Sequence, residues 1–267
     1  MKTIILCGGR GMRLQEETEF KPKPIIKIGS YPILLHIMNI YAHYGHKDFI
    51  VCLGYKGELI KDYFLTLSRY SDDFKFDMKT GKTTLLNKRH NHDHNITFVE
   101  TGEDTMTTDR VLQALEHVEE DHFMVTYGDG VSTIDINRLV DFHMEQEKKF
   151  GTYATVSCVH PHSKYGVLTF NKDNLVTAFV EKKPILRDYI NGGFQVYNKK
   201  AVSYFKKNEM IEDSLIRLTE DQKLSMYRHD GFWHCMDTMK DYLSLNKLWE
   251  SGSPPWVVWE KGEGKEL

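Results

Sequence analysis

The opening of the chain limits its fold more than any other stretch. Residues 2–7 form a short, mainly apolar run with β-branched members, and this run leads directly into Gly8, Gly9 and Gly11. Such a run predicts a buried parallel strand. The glycines after it predict a loop whose N–H groups can approach phosphate closely, with positive charge from Arg13 and the lysines of residues 21–24. The sequence therefore predicts an α/β fold with a phosphate-binding first loop.

This loop matches neither of the two common nucleotide-binding motifs. The pattern GxxxxGK[ST] is absent, and residues 9–14 lack the third glycine of a dinucleotide fingerprint. From the loop alone, a glycine-rich turn with surface charges stays open as the alternative.

Helical and strand patterns alternate after the loop. We predict helices at 32–44 and 58–70, strands at 48–54, 95–100 and 123–127, and a β-hairpin over 73–88 around the turn at 79–81. A helix running through Ala114 and Val118 and a helix starting at Asp135 complete the first half. This alternation is typical of a parallel sheet.

The second half should be mixed or antiparallel. Strands are predicted at 153–159, 165–170, 175–181, 192–197 and 224–229, and helices at 199–206, 211–221 and 239–249. Asp237 is predicted to be the N-cap of the last helix.

Two groups of residues are candidates for metal binding. Asp129 stands between two glycines at the end of an apolar strand, where its carboxylate could hold a cation, although an ordinary Asp-Gly turn is the alternative. His90, His92 and His94 would share one face of a strand. A solvated hairpin end is the alternative for these histidines.

Composition bounds the class of protein. The chain has 267 residues and a net charge of −3, which favours one domain and gives no electrostatic footprint for nucleic acid. Cys7, Cys52, Cys158 and Cys235 form no CxxC pair, so we predict reduced cysteines. No apolar stretch approaches the length of a membrane span. We therefore expect a soluble cytoplasmic protein without a membrane or nucleic-acid partner.

Several motifs together resemble one known family. They are GGRGMRLQEETEFKPKP, TYGDGV, INGGF and the closing GFW, MDT, LW and PW segments. The chain resembles the sugar-nucleotide pyrophosphorylases, or sugar-1-phosphate nucleotidylyltransferases, over almost its whole length. TYGDG together with GFW and MDT resembles the cytidylyltransferase branch, whose members act on CTP and glucose 1-phosphate to give a CDP-sugar.

The resemblance implies a fold and a division of the chain. We expect a Rossmann-like α/β fold of the nucleotidyltransferase (GT-A-like) type, whose mixed and mainly parallel sheet is flanked by helices. A β-hairpin insertion and a small sugar-binding region in the second half would be added to it. Residues 1–267 would form a single nucleotidylyltransferase domain, with residues 1–135 mainly binding nucleotide, 136–250 mainly binding sugar phosphate, and 251–267 as a tail.

The resemblance also implies a reaction and site residues. An oxygen of the sugar 1-phosphate would attack the α-phosphorus of CTP, and pyrophosphate would leave, with Mg²⁺ held by Asp129 and Asp237. The catalytic residues would be Arg13, Lys23 and Asp129, and the sugar phosphate would meet Glu181, Lys182, Asn191 and Gly192. The nucleotide-binding residues would be Leu6, Cys7, Gly8, Gly9, Arg10, Gly11, Met12, Arg13, Lys23, Thr105, Arg110 and Gly128.

Some positions depart from the family pattern. Met12 stands where the family has threonine, Thr108-Asp109 would add a negative charge beside the base pocket, and residues 162–166 differ before a sugar-contacting strand. Arg110 has the alternative of an ordinary exposed helix residue. A sibling enzyme with another nucleotide or acceptor therefore stays open, as does a non-catalytic subunit that binds a sugar nucleotide. A glycosyltransferase would want a second aspartate in the Gly128-Asp129-Gly130 segment.

The family forms symmetric oligomers, so the resemblance implies a homo-oligomer. Trp249, Trp256 and Trp259 would suit a subunit contact, or they could cover the core of the chain itself.

Overall fold

The computed structural model describes residues 1–14, 18–87, 93–161, 167–172, 174–180 and 188–259. Its strands are β1 (Thr3–Leu6), β2 (Lys27–Ile28), β3 (Tyr31–Pro32), β4 (Asp48–Leu53), β5 (Asp73–Asp77), β6 (Lys82–Asn87), β7 (Asn95–Glu100), β8 (His122–Tyr127), β9 (Gly130–Ser132), β10 (Ala154–Val159), β11 (Val167–Phe170), β12 (Val176–Val180), β13 (Ile190–Asn198), β14 (Leu224–His229) and β15 (Trp233–Cys235).

Six α-helices lie among the described residues. They are α1 (Ile33–His43), α2 (Gly57–Ser71), α3 (Thr107–Ala114), α4 (Ile136–Phe150), α5 (Ile211–Glu220) and α6 (Met239–Glu250). Residues Leu115–His117 and Lys199–Tyr204 are 3₁₀-helical, so the predicted helices end earlier there or are of a tighter type.

Seven strands form the central sheet, in the order β14-β10-β13-β8-β1-β4-β7. β1 pairs in parallel with β4 and β8, β4 with β7, and β10 with β14. Only β13 runs antiparallel to its neighbours β8 and β10 in this sheet as described. The prediction of a mixed, mainly parallel sheet flanked by helices is confirmed.

The two faces of this sheet support two apolar cores. Along β1, Ile5 packs with α1, α6 and Trp256 on one face, while Ile4 and Leu6 pack with α3 and α5 on the other. This alternation follows from the two-residue period of a strand. It also explains why the run is mainly apolar, since neither face of β1 meets water.

The predicted hairpin and turn are present as β5 and β6, which form a separate two-stranded sheet. In the chain, the hairpin lies between α2 and β7, and β7 is an edge strand of the central sheet. His90 and His92 lie outside the described residues. His94 precedes β7 and is not part of a strand, and its Nε2 atom lies 3.0 Å from Asn39 Oδ1.

The segment after α6 returns to the body of the molecule. Trp256 is fully buried, stacks on Phe232, and donates from Nε1 to Nδ1 of His36 at 3.3 Å. Trp256 thus covers the chain's own core, which was one of the two alternatives. None of the helices in the described ranges is long and apolar enough to cross a membrane.

Candidate functional site

A cavity of about 650 Å³ opens at the carboxyl ends of β1, β7 and β8. Parallel strands bring their following loops to the same edge of a sheet, which is where open α/β sheets bind ligands. The cavity is lined by residues 6–13, 23–24, 103–107, 110, 127–129, 210 and 237. All the predicted nucleotide-binding residues and both predicted metal ligands are among them.

The glycines of the first loop meet different constraints. A Cβ on Gly8 would lie 2.0 Å from Arg110 Nη1, so a side chain there would displace the buried guanidinium. Gly11 has a φ of +62°, a conformation that favours glycine. A Cβ on Gly9 would meet no protein atom within 4 Å. Gly9 therefore leaves open space over the backbone, which is what close approach of a phosphate needs.

Arg110 lies beneath this loop and is only 3% exposed. Its guanidinium donates to the carbonyls of Leu53 (3.0 Å), Glu103 (3.0 Å) and Gly8 (3.3 Å). It also donates to the hydroxyl of Thr101. The alternative of an exposed helix residue is wrong, because α3 points Arg110 into the sheet edge and not into solvent.

Lys23 brings positive charge to the two predicted metal carboxylates. Its Nζ atom lies 3.1 Å from Asp129 Oδ2 and 3.0 Å from Asp237 Oδ1. The lysine side chain is 11% exposed. Burial alone would lower the pKa of Lys23, but the two carboxylates outweigh it and raise the pKa, so the ammonium stays charged.

Asp237 reaches this place from the far end of the chain. Strand β15 pairs with β9, and Met236 N donates to Asp129 O at 2.8 Å, which sets the two aspartates side by side. The prediction that Asp237 caps the last helix is wrong. Thr238 is the N-cap, and it forms a capping box with Asp241. The Asp237 carboxylate is therefore available to the cavity.

Arg13 completes the charged group at the edge of the cavity. Its Nη1 atom lies 2.5 Å from Asp237 Oδ2, and its side chain is 75% exposed. An exposed arginine near the glycine loop can turn toward a phosphate group with little loss of packing.

The donor set suits a hard divalent cation. Asp129 and Asp237 offer carboxylate oxygens, which Mg²⁺ prefers, and both already face one positive charge, the ammonium of Lys23. The residues present thus fit a magnesium ion.

The thiol beside the loop is poorly suited to nucleophilic attack. Cys7 is 1% exposed, and burial raises its pKa well above the ordinary value. A thiol in that state is not a thiolate at neutral pH. Cys7 thus lines the cavity as an apolar wall.

Two of the four predicted sugar-side residues lie at the same sheet edge but do not line the cavity. Asn191 and Gly192 belong to the first part of β13, beside the end of β8. The Gly192 carbonyl accepts from Trp233 Nε1 at 2.7 Å, and Asn191 Oδ1 accepts from Gly193 N at 2.9 Å. Glu181 and Lys182 lie outside the described residues, as do residues 162–166.

Two further cavity residues, Tyr127 and Asp104, were not predicted as site residues from the sequence. Tyr127 ends β8 and donates its hydroxyl hydrogen bond to Glu212, which α5 brings from 85 residues away. Burial raises the pKa of Tyr127, so the phenol stays protonated. Asp104 pairs with Arg10 at 2.9 Å across the cavity. These contacts arise from tertiary folding, and a tyrosine directly before Gly128 was the only local hint.

The residues that depart from the family pattern differ in where they lie relative to the cavity. Met12 lines the cavity and is 73% exposed. Thr108 is buried, and the Asp109 carboxylate accepts a hydrogen bond from Asn208 N at 2.6 Å. Neither Thr108 nor Asp109 lines the cavity, so the expected negative charge beside the base pocket is not found there.

Comparisons with known proteins agree with this geometry. Residues 2–252 match the nucleotidyl transferase family. A Bacillus subtilis protein named probable glucose-1-phosphate cytidylyltransferase is 42% identical over 262 residues, 97% of this chain and 100% of that protein. Glucose-1-phosphate cytidylyltransferase of Salmonella typhimurium is 40% identical over 263 residues, with the same coverage. The crystal structure of UDP-glucose pyrophosphorylase with UDP-glucose superposes with a TM-score of 0.64 at 14% identity, over 94% of this chain and 98% of that one. That last likeness shows the fold alone.

Proposed function

This chain belongs to the nucleotidyl transferase family, and on that premise we propose that it transfers the cytidylyl group of CTP to glucose 1-phosphate. The products are CDP-glucose and pyrophosphate. Two relatives that carry the name of this activity match it over 97% of its length at 42% and 40% identity. One structural observation supports the proposal best: ion pairs bring four charged side chains together beside the glycine loop, namely Arg13, Lys23, Asp129 and Asp237.

The chemistry is an in-line displacement. A phosphate oxygen of glucose 1-phosphate forms a bond to the α-phosphorus of CTP, and the bond from that phosphorus to the oxygen of the leaving pyrophosphate breaks. Both substrates are anions, so the protein's task is to align them and to neutralise charge. The open backbone at Gly9 would admit the triphosphate, and Arg13 and Lys23 would stabilise the charge on the leaving group.

Asp129 and Asp237 would hold Mg²⁺ in this reaction. When bound, the ion would neutralise phosphate charge as a Lewis acid. No side chain of the cavity needs to form a covalent intermediate, and the buried Cys7 thiol has a raised pKa.

On the acceptor side we propose that Asn191 and Gly192 approach the sugar, together with Glu181 and Lys182. Support comes from the position of Asn191 and Gly192 beside the end of β8, at the same sheet edge as Asp129. That the protein works as a cytoplasmic homo-oligomer also stays a prediction. A monomer in light scattering at micromolar concentration would contradict the oligomer.

The first test is pyrophosphate release with Mg²⁺ across the four ribonucleoside triphosphates, dTTP and a panel of phosphorylated sugars. We expect turnover with CTP and glucose 1-phosphate. Turnover with another triphosphate or another acceptor would instead support a sibling nucleotidylyltransferase. If no pair of substrates releases pyrophosphate while calorimetry still shows CTP binding, the result would support a subunit that only binds the nucleotide.

The second test removes the proposed metal ligands one at a time. Asp129→Asn and Asp237→Asn should each lower Mg²⁺-dependent turnover at least 100-fold, because an amide oxygen replaces a charged ligand. Asp141→Asn is the matched control, since Asp141 is exposed on α4 and does not line the cavity. Near-normal rates in both cavity variants would contradict the proposed metal site.

A further inference from the structure

A second polar cluster lies at the opposite edge of the sheet from the cavity. His122, His143 and Glu147 each direct one nitrogen or oxygen atom into it, and these atoms all lie within 4.8 Å of one another. His122 begins β8, whereas the cavity lies past Tyr127 at the other end of that strand. Five residue steps separate the two ends by roughly 17 Å.

The spacing along α4 brings two of the three side chains together. His143 and Glu147 are four residues apart, so they lie one above the other on the same face of the helix. That face meets the start of β8, where the rings of His122 and His143 approach edge to face with centroids 5.5 Å apart.

Hydrogen bonds fix the tautomer of His143. Ser225 Oγ lies 3.2 Å from Ala154 O and donates to it, so it accepts from Thr155 Oγ1 at 2.7 Å. The Thr155 hydroxyl therefore accepts from His143 Nδ1 at 2.9 Å. On this chain of hydrogen bonds we assign the proton to Nδ1, which leaves Nε2 with a lone pair.

That lone pair has no hydrogen-bond partner among the described residues, although the His143 side chain is fully buried. A buried polar atom without a partner is unfavourable, so such an atom requires an explanation. A histidine that donates from one ring nitrogen to a neighbour and presents the other nitrogen bare is the usual arrangement of a metal ligand.

The other two side chains supply complementary atoms. His122 Nε2 lies 2.6 Å from Glu147 Oε2. Asn198 Nδ2 donates to the second carboxylate oxygen, Glu147 Oε1, at 2.7 Å and so orients the carboxylate. A cation in place of the proton shared by His122 and Glu147 would gain both atoms as ligands, together with Nε2 of His143.

We propose that His122, His143 and Glu147 form a second metal site, for Zn²⁺ or a similar divalent transition metal, that fastens α4 to the start of β8. Two imidazole nitrogens and one carboxylate suit Zn²⁺, whereas the all-oxygen pair Asp129 and Asp237 suits Mg²⁺. The side chains of His122 and Glu147 are 21% and 22% exposed, which gives a water molecule access as the fourth ligand.

The test is a titration of the full-length, chelator-treated protein with Zn²⁺ in excess Mg²⁺, followed by calorimetry. We expect one Zn²⁺ per chain in the wild type, and at least tenfold weaker binding in Glu147→Gln and His143→Gln. Co²⁺ in place of Zn²⁺ should give a visible absorption band that these variants lose. At a free Zn²⁺ concentration 100 times the Kd, the wild-type Tm should rise by roughly 5 °C.

Two controls locate the ion. Glu145→Gln, on the exposed side of the same helix, should keep wild-type affinity, and so should Asp237→Asn, which alters the magnesium site. Should His143→Gln fail to fold by circular dichroism, His122→Gln, at the partly exposed edge, takes its place. Absence of Zn²⁺ binding in the wild type, or unchanged binding in folded His122 and Glu147 variants, would overturn the proposal.

Discussion

The Arg110 side chain supports the cavity mainly through hydrogen bonds to the chain's own backbone. Its donors reach the carbonyls of Leu53, Gly8 and Glu103, which lie at or just after the ends of three different strands of the sheet. Hydrogen bonds from a charged donor are stronger than neutral ones, and here water has little access to compete with them. One buried arginine therefore holds the glycine loop and the loop after β7 in fixed relation.

Replacing Arg110 should damage both stability and binding. In Arg110→Met the guanidinium no longer donates to the three carbonyls, although Leu53 O still accepts from Thr101 N and Gly8 O from Tyr55 N. The loss of these charged hydrogen bonds should cost about 3 kcal/mol of unfolding free energy. The KM for the nucleotide should rise about tenfold, because the glycine loop would be less well held and a loss of about 1.4 kcal/mol in binding is a tenfold change. Urea unfolding and steady-state kinetics measure the two effects. Arg138→Met is the control, since Arg138 is 79% exposed and its loss should change stability by less than about 0.5 kcal/mol.

The effect of replacing Lys23 should depend on whether Mg²⁺ is present, because the partners of Lys23 are the proposed metal ligands. In Lys23→Met the carboxylates of Asp129 and Asp237 lose the ammonium at 3.1 and 3.0 Å. Without Mg²⁺ we expect a loss of about 1–2 kcal/mol, seen as a Tm lower by roughly 2–4 °C. Added Mg²⁺ should restore most of the Tm but not the turnover.

Thermal melts with EDTA or Mg²⁺, combined with pyrophosphate release, separate these two effects. Lys27→Met, at an exposed position of β2, should behave like the wild type in both measurements. A Tm of Lys23→Met that does not respond to Mg²⁺ would argue against an ion between the two aspartates.

At the scale of elements, the start of α6 determines where Asp237 points. Thr238 takes the cap, with its N–H donating to Asp241 Oδ2 at 2.8 Å and its hydroxyl accepting from Asp241 N at 3.4 Å. Asp237, one residue earlier, is thereby left outside the helix and beside Lys23.

Removing the cap should therefore affect stability and metal use together. Thr238→Ala should cost about 1 kcal/mol, and it should raise the Mg²⁺ concentration at half-maximal rate several-fold because Asp237 is less well held. Thr219→Ala in α5 is the matched control, since its exposed hydroxyl only donates to Leu215 O within the helix. Equal Mg²⁺ dependence in the two variants would show that the cap does not position Asp237.

Local patterns explain most of what could be predicted of the elements. The apolar runs at 48–54 and 123–127 are strands because burial on both faces leaves a continuous apolar stretch. The strand at 95–100 is a partly exposed edge strand, and the turn at 79–81 carries its own glycine. The helix predicted to start at Asp135 is present as α4, and Asp135 is its N-cap. Between Asp237 and Thr238, however, both side chains can cap a helix, and only the path of β15 selects the threonine.

Some residues of the candidate site could likewise be predicted from the sequence, and others could not. The glycine loop and Asp129 stand next to strand ends, so sequence position alone indicates them. The burial of Arg110 and the contact of Tyr127 with Glu212 depend on the packing of α3 and α5 on the sheet. The pattern of residues along the sequence does not show this packing.

Across the whole molecule, the segment after α6 closes over the first helix through His36. This ring is buried in α1, accepts from Trp256 Nε1, and lies 3.0 Å from Ile28 O through Nε2. Burial lowers the pKa of His36 from 6.5 to about 4. At neutral pH the ring is uncharged, and the contact between the two distant parts of the chain depends on that.

Stability should therefore fall with acidification in a defined window. Below pH 6.5 the unfolded chain takes up a proton at His36, while the folded chain resists until about pH 4. Between pH 7 and pH 5 this linkage should remove about 2 kcal/mol, measured by urea unfolding at each pH. His36→Asn should flatten this slope, whereas His43→Asn, at an exposed position, should leave it unchanged. Parallel pH profiles for the wild type and His36→Asn would contradict the assignment.

The contact of Gly8 with Arg110 also bears on how chains of this kind diverge. A Cβ on Gly8 would lie 2.0 Å from Nη1 and 2.2 Å from Cζ of Arg110, so alanine at position 8 would displace the guanidinium from its hydrogen bonds. We expect the two substitutions to be better tolerated in one order, with the arginine shortened first. The two positions should then covary: among descendants of this sequence, a residue other than glycine at position 8 should occur only where position 110 has already lost its arginine.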